Sequence, residues 1–168
     1  SAKMPIVAHQ KKFDFVVVNQ DYPYSSAFTK ATQAMPYFVS TRSEVARGAF
    51  VQNGDIYLRN TDQVPLRLCS TQDVGLIGPH NLENITAATV AAALAGVSLE
   101  AIQHAIRSFT GLPHRLEFVR EVSGVRYYND SFSTIPDTCI AAVRSFTEPI
   151  GLILGGSEKK SDFTELGR

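Results

Sequence analysis

Two textures alternate along the chain. Phe13-Asp14-Phe15-Val16-Val17-Val18 is a β-branched and aromatic run that stops at Asn19-Gln20-Asp21, and Ile150-Gly151-Leu152-Ile153-Leu154 is a second apolar run that stops at Gly155-Gly156. A short, nearly continuous apolar run fits a strand buried on both faces, so both are read as parallel strands. In open α/β sheets ligands gather beyond the carboxyl ends of such strands, which directs attention to loops 19–21 and 155–160. Between residues 36 and 70 the runs shorten to YFVST, GAFVQ, IYLRN and LRLCS, separated by turn material such as Asn53-Gly54-Asp55, and predict a β-meander. Residues 82–95 are alanine-rich and meet Gly96, a natural helix stop. Ser98 then caps a second helix, with Glu100 in its first turn and Leu99, Ile102, Ile106 and Phe109 as its apolar stripe. After Thr110-Gly111-Leu112-Pro113, the expected domain boundary, strand patterns return at 116–122 and 125–128 around Ser123-Gly124. A helix follows at about 136–146.

The 168 residues are 44% hydrophobic and 19% charged, enough apolar material for one ordinary core or two small ones without disulfide or metal staples. A knottin, a collagen and a disordered tail are excluded. Sixteen basic and sixteen acidic side chains balance, so no net field draws the chain to nucleic acid or to an anionic membrane, and a small-molecule partner is expected. No apolar run reaches the ~18 to 20 residues that span a bilayer, and SAKMPIVAHQKK has too short an apolar stretch for a signal peptide; the expected compartment is the cytoplasm. Cys69 and Cys139 stand in no metal-binding or redox spacing and are expected to be reduced.

Four constellations could carry chemistry. In Gly78-Pro79-His80-Asn81-Leu82-Glu83-Asn84 the carboxamides can read donors and acceptors at a helix start that favours negative charge; equally, Asn81 caps the helix and His80 lies on the surface. In Gly111-Leu112-Pro113-His114-Arg115-Leu116-Glu117 the guanidinium of Arg115 can reach phosphate or ribose, or it pairs with Glu117 or Glu121; His114 has no metal-spaced partner. In Tyr128-Asn129-Asp130-Ser131-Phe132-Ser133-Thr134 an acid at a strand end can accept from sugar hydroxyls. Thr134 there either caps the next helix or donates to a carboxylate. Gly155-Gly156-Ser157-Glu158-Lys159-Lys160 can hold an anion or be a solvated basic turn.

The order GPHNLENITAA, FTGLPHRLE, GVRYYNDSFST, LILGGSEKKSDF, preceded by VVVNQDYP, strongly resembles the Mur ligase family. The resemblance covers almost the whole chain and is weakest from about 43 to 72. The NDS-x-[AS]-T loop is similar to that of the D-glutamate-adding branch; L-alanine and diamino-acid branches usually show a D-Y-A-H-x-P type loop, and folylpolyglutamate synthase is more distant. The implied fold is α/β: residues 1–111 as the second half of a P-loop-type central ATPase domain, with a parallel strand, β-meander and helical hairpin, and residues 112–168 as the first half of a Rossmann-like C-terminal domain. The implied activity is ATP-dependent amide ligation through an acyl phosphate, adding D-glutamate to UDP-N-acetylmuramoyl-L-alanine for peptidoglycan and hence cell-wall biogenesis, cell shape and division. The implied partners are ATP with Mg2+ and these substrates, with no nucleic acid or membrane and a monomeric parent.

By the same resemblance Asn81 lies near the adenine, Arg115 and Asp130 on the ribose and phosphate side, and Thr134 and Lys159 at the D-glutamate carboxylates. His80 and Ser131 are further candidates. Lys3 aligns with a lysine that becomes carbamylated and helps to position magnesium; by local sequence it is a solvent-exposed lysine. Phe132 departs from the pattern, which has Lys there, and Lys160 is a candidate to compensate. No GxxxxGK[ST] loop occurs in the 168 residues; the family carries that loop and its main magnesium ligands upstream, so an internal piece, inactive alone, is expected. The alternatives are another Mur-type amino-acid ligase, for L-alanine or a diamino acid, and a non-catalytic nucleotide-binding module.

Overall fold

The computed structural model describes residues 3–61, 63–157 and 160–167. They fall into two compact units. The first holds the chain up to Gly75 together with Asn81–Phe109, and the second holds Leu76–His80 and the chain from Thr110 onward.

The first unit is built on one five-stranded sheet: β1 (Phe15–Asn19), β2 (Met35–Ser40), β3 (Gly48–Gln52), β4 (Asp55–Arg59) and β5 (Leu66–Ser70), in that spatial order. Helices α1 (Pro5–Ala8) and α2 (Ser25–Ala31) flank β1 in sequence, and α3 (His80–Leu94) and α4 (Leu99–Ser108) follow the sheet. The alternation in β1 explains its continuous apolar run. Val16 and Val18 pack with Val7 and Ala34 in one cluster, whereas Val17 joins Val39, Ala49 and Val90 in another. Successive side chains point to opposite faces, so a strand covered on both faces needs an apolar residue at every position.

The meander is narrower than its texture suggested. Strands β3, β4 and β5 are antiparallel neighbours, but β2 runs parallel to both β1 and β3. Residues 41–47 are a short link for a parallel return, and the stagger makes it sufficient: only Phe38, Val39 and Ser40 pair with Gly48, Ala49 and Phe50, so the chain doubles back by about three residues, roughly 10 Å. Gly48 makes this turn possible. Its φ is +127°, and a Cβ there would overlap the Phe38 carbonyl, while the Phe38 N–H donates to the Arg47 carbonyl at 2.8 Å.

Helix ends behave as their residues dictate. Gly96, at φ +83°, closes α3 in a Schellman motif, with the Val97 N–H on the Ala92 carbonyl at 3.0 Å and the Gly96 N–H on Ala93 at 3.1 Å. The Ser98 hydroxyl accepts the Ala101 N–H and caps α4. Ile102 and Ile106 of the α4 stripe are buried against Ile56, Leu68 and Cys69 of the sheet, while Leu99 and Phe109 lie at its exposed margins. Helix α3 begins at His80, two residues earlier than the alanine-rich stretch, which places Asn81 inside the helix and removes it from the cap position.

In the second unit β6 (Glu117–Val122) and β7 (Val125–Asn129) form an antiparallel hairpin. Ser123 and Gly124 both have positive φ, +51° and +78°, as a two-residue type I′ turn requires. Leu116, expected as the first strand residue, is instead left-handed at φ +43°. The following helix, α5 (Pro136–Val143), stops short of 146. Residues 150–154 form no strand, contrary to expectation. Within the described residues β6 and β7 pair only with each other, and Ile153 is 97% exposed; an apolar run records a tendency to be buried, but a parallel strand exists only where a neighbour supplies its ladder. Among the described residues no helix is long and apolar enough to cross a membrane.

Two stability effects are expected in equilibrium denaturation. Gly48→Ala forces a Cβ into backbone and costs about 3 kcal/mol or more. Ser98→Ala removes one cap and costs about 1 kcal/mol; equal losses for the two would contradict the role given to Gly48.

Candidate functional site

In the first unit the carboxyl ends of β1 and β2 are tied together by Asp21. Its Oδ1 accepts the Ser40 hydroxyl at 2.6 Å and its Oδ2 accepts the Thr41 N–H at 2.8 Å. Ser40 is buried, so this carboxylate satisfies a hydroxyl that would otherwise lose its water partners. Asn19, the last residue of β1, accepts the Asp21 N–H on Oδ1 at 2.9 Å and turns its Nδ2 toward Glu83 Oε2 at 3.1 Å. Tyr22 donates its hydroxyl to the same Glu83 oxygen at 2.7 Å. That hydrogen bond, with burial and the carboxylate charge, raises the Tyr22 phenol above its ordinary pKa. Glu83 sits in the first turn of α3, where a negative charge is favoured. Asn81, two residues before Glu83, and Asn84, one residue after it, are joined by a hydrogen bond in which Asn84 Nδ2 donates to Asn81 Oδ1 at 3.2 Å.

Sequence reasoning singled out loop 19–21 and the helix start separately, and the structure brings them together through Glu83. It assigned no role to Tyr22 or Glu83. Their separation of 61 residues leaves no local signal for the contact.

In the second unit Arg115 stands between two left-handed residues, His114 at φ +64° and Leu116 at φ +43°. That backbone is held by the loop after β7. Asp130 accepts the Leu116 N–H on Oδ1 at 3.0 Å and the Ser133 hydroxyl on Oδ2, the Phe132 N–H donates to the His114 carbonyl at 3.0 Å, and Asn129 Nδ2 lies 2.8 Å from His114 Nδ1. The ion pair considered for Arg115 is not formed: Glu117 accepts the His114 N–H at 2.7 Å instead, and the Arg115 guanidinium lies over the Phe132 ring, 5.2 Å from its centroid. Among the described residues the Arg115 guanidinium is thus held by a ring and has no acidic partner.

Thr134 does not cap α5. Ile135 holds that position, without a side-chain cap bond. Thr134 lines a cleft of about 640 Å³ together with Ser131, Ser133, Cys139, Gly156 and Ser157. Burial pushes the Cys139 and Cys69 thiols up in pKa, and both are free and buried, so neither is an activated nucleophile. His80 has its Nδ1 buried without a hydrogen-bond partner among the described residues, and Gly78 keeps this corner open, since a Cβ there would meet the His80 ring and Ser145. Lys3 lies exposed in the turn ahead of α1. Lys159 lies outside the described residues. Among the described residues no three His, Cys, Asp or Glu side chains gather to hold a metal ion. Asn81 thus belongs to the first unit, and Arg115, Asp130, Ser131 and Thr134 to the second.

Comparison with known proteins gives the same direction. Residues 1–92 match the Mur ligase middle domain. The chain is 40% identical over 168 residues to a UDP-N-acetylmuramoylalanine–D-glutamate ligase of Pelotomaculum thermopropionicum, covering 100% of this chain and 37% of that protein. It is 38% identical to the ligase of the same name in Clostridioides difficile, covering 98% of this chain and 36% of the relative. The chain therefore spans little more than a third of the length of these curated relatives. Among solved structures it is similar in fold to MurF from Acinetobacter baumannii, with a TM-score of 0.61, 20% identity and coverage of 78% of this chain and 28% of that one. It is also similar to MurF ligase from Thermotoga maritima in complex with ADP, with a TM-score of 0.57, 18% identity and coverage of 85% and 33%.

Asp130→Ala leaves the Leu116 N–H without its acceptor and is expected to destabilise the second unit by about 1 to 3 kcal/mol, with faster hydrogen exchange at the Leu116 amide. Asp130→Asn retains an acceptor oxygen and loses less; unchanged exchange in Asp130→Ala would contradict the clamp.

Proposed function

The chain belongs to the Mur ligase family, and from that premise we propose that it is part of an ATP-dependent ligase that adds D-glutamate to UDP-N-acetylmuramoyl-L-alanine. The observation that carries this reading is the loop pair of the second unit, in which the Arg115 guanidinium lies over the Phe132 ring with no acidic partner among the described residues, while the neighbouring residues Ser131, Ser133 and Thr134 of the same loop line a cleft. Such a cation suits a polyphosphate, because its charge is fixed and its fork can bind two oxygens.

In the proposed assignment residues 1–111 form the second half of the central ATP-binding domain and residues 112–168 the first half of the C-terminal domain. Asn81 serves the adenine, Arg115 and Asp130 the ribose and phosphates, and Thr134 with Lys159 the D-glutamate carboxylates; His80 and Ser131 are further contacts. The donor capacity of Thr134 supports this, because its hydroxyl is not used as a helix cap. Asp130 reaches the ribose only with lone pairs left over from Leu116 and Ser133, which a carboxylate has. Lys3 is the proposed carbamylation site. Magnesium, when bound, offsets phosphate charge; no step is assigned to it from these residues. The nucleotide-linked carboxylate takes the γ-phosphoryl group of ATP, releasing ADP, and the D-glutamate amine then displaces phosphate to form the amide. Arg115 holds the phosphates in place for the first of these steps, where positioning and charge supply most of the catalysis. A monomeric, cytoplasmic enzyme is part of the proposal.

The test uses the full-length protein with ATP, UDP-N-acetylmuramoyl-L-alanine and radiolabelled amino acids. D-glutamate incorporation with equimolar ADP is expected, and incorporation of L-alanine or a diamino acid, or no ligation, overturns the reading. Arg115→Ala is expected to raise the KM for ATP about tenfold or more.

A further inference from the structure

The three elements that meet at Glu83 have no shared local sequence: Asn19 ends β1, Tyr22 lies in the loop before α2, and Glu83 stands in the first turn of α3. Two donors converge on one oxygen, Glu83 Oε2, from Asn19 Nδ2 at 3.1 Å and from the Tyr22 hydroxyl at 2.7 Å. Asn19 is in turn fixed by the Asp21 N–H, and Asp21 by Ser40 and Thr41 of the β2 end. On the helix side, the Thr86 hydroxyl donates to the Glu83 carbonyl at 2.9 Å, and Thr86 is fully buried. Glu83 is therefore anchored at its carbonyl by the buried Thr86 of α3 and at its carboxylate by the end of β1 and the loop that follows it.

Asn81 and Asn84 flank Glu83 in the same turn and are joined by their own hydrogen bond. A side chain that reads a planar ligand by hydrogen bonds works only if its backbone cannot rotate or slide, since a displacement of about 1 Å loses the contact. We infer that Glu83, latched by Tyr22 and Asn19, is a positioning residue that holds the Asn81–Asn84 turn of α3 in register with the strand ends, so that Asn81 meets the adenine. This rests on the assignment of Asn81 to the nucleotide and extends it to residues that touch no ligand. Because both donors use an oxygen acceptor, the latch needs an acceptor at that place rather than a charge. The raised pKa of Tyr22 agrees with the contact.

The experiment measures ATP KM, kcat and thermal midpoint for full-length Tyr22→Phe, Glu83→Ala, Glu83→Gln and Asn81→Ala proteins. Tyr22→Phe and Glu83→Ala are expected to raise the ATP KM about three- to tenfold with kcat within about twofold. A protein carrying both Tyr22→Phe and Glu83→Ala is expected to be no worse than Glu83→Ala alone, because the two residues act through one contact. Glu83→Gln, with its amide oxygen in place, recovers most of the loss. A purely structural role would lower the thermal midpoint and leave KM unchanged, which overturns the latch. A readout independent of activity is the Tyr22 ionisation, taken as the absorbance difference from Tyr22→Phe: it shifts to lower pH in Glu83→Ala, and no shift overturns the contact. If Asn81→Ala raises the KM while Tyr22→Phe and Glu83→Ala do not, the latch falls and the nucleotide assignment stands. If Asn81→Ala leaves it unchanged, the assignment falls and takes the latch with it.

Discussion

An aspartate just beyond the end of a strand, with its two oxygens divided between a distant backbone N–H and a serine hydroxyl, organises both units. Asp21 does this after β1, with Thr41 and Ser40; Asp130 does it after β7, with Leu116 and Ser133. Hydrogen bonds to a charged acceptor contribute about 1.5 to 3 kcal/mol each, several times the effect of an exposed ion pair. The constraint is the obligation to satisfy backbone donors where the chain leaves its ladder. Loops that meet it with a carboxylate become fixed; Ser131 and Thr134 lie on the loop of Asp130, and Arg115 on the segment it holds.

Burial is unequal between the units. The fully buried apolar side chains, including Phe50, Ile56, Leu68 and Val39, belong to the first unit, where the sheet is packed against helices. The described residues of the second unit include exposed apolar side chains on β6 and β7 and along 150–154. Its order rests more on the polar clamp around Asp130 and on the Phe118, Tyr128 and Phe146 ring contacts. Asn81 accordingly stands on the unit with the larger buried core, and in the second unit the placement of Arg115 depends on hydrogen bonds and one ring.

Phe132 gives the Arg115 guanidinium a ring to lie over, while Glu117 accepts the His114 N–H. Left-handed backbone at His114 and Leu116 costs energy for residues with a Cβ, and it persists because Asp130, Glu117 and the Phe132 N–H hold the residues around Arg115 from three sides.

By itself the sequence determined what depends on neighbours a few residues apart: β1 as a doubly buried strand, the Ser123-Gly124 hairpin, the Gly96 stop, the Ser98 cap and the α4 stripe through Ile102 and Ile106. Each follows from a side chain acting on its own turn of backbone or on a fixed period. It also carried the motif order that marks the family. Tertiary structure alone decided that β2 runs parallel to β3, that 150–154 has no ladder among the described residues, that Asn81 lies inside α3, that Arg115 rests on Phe132, and that Glu83 receives Tyr22 and Asn19. In each of these the partner is chosen among many chemically equivalent groups, several carboxylates or several strands, and only the path of the chain through space brings one of them within hydrogen-bonding distance.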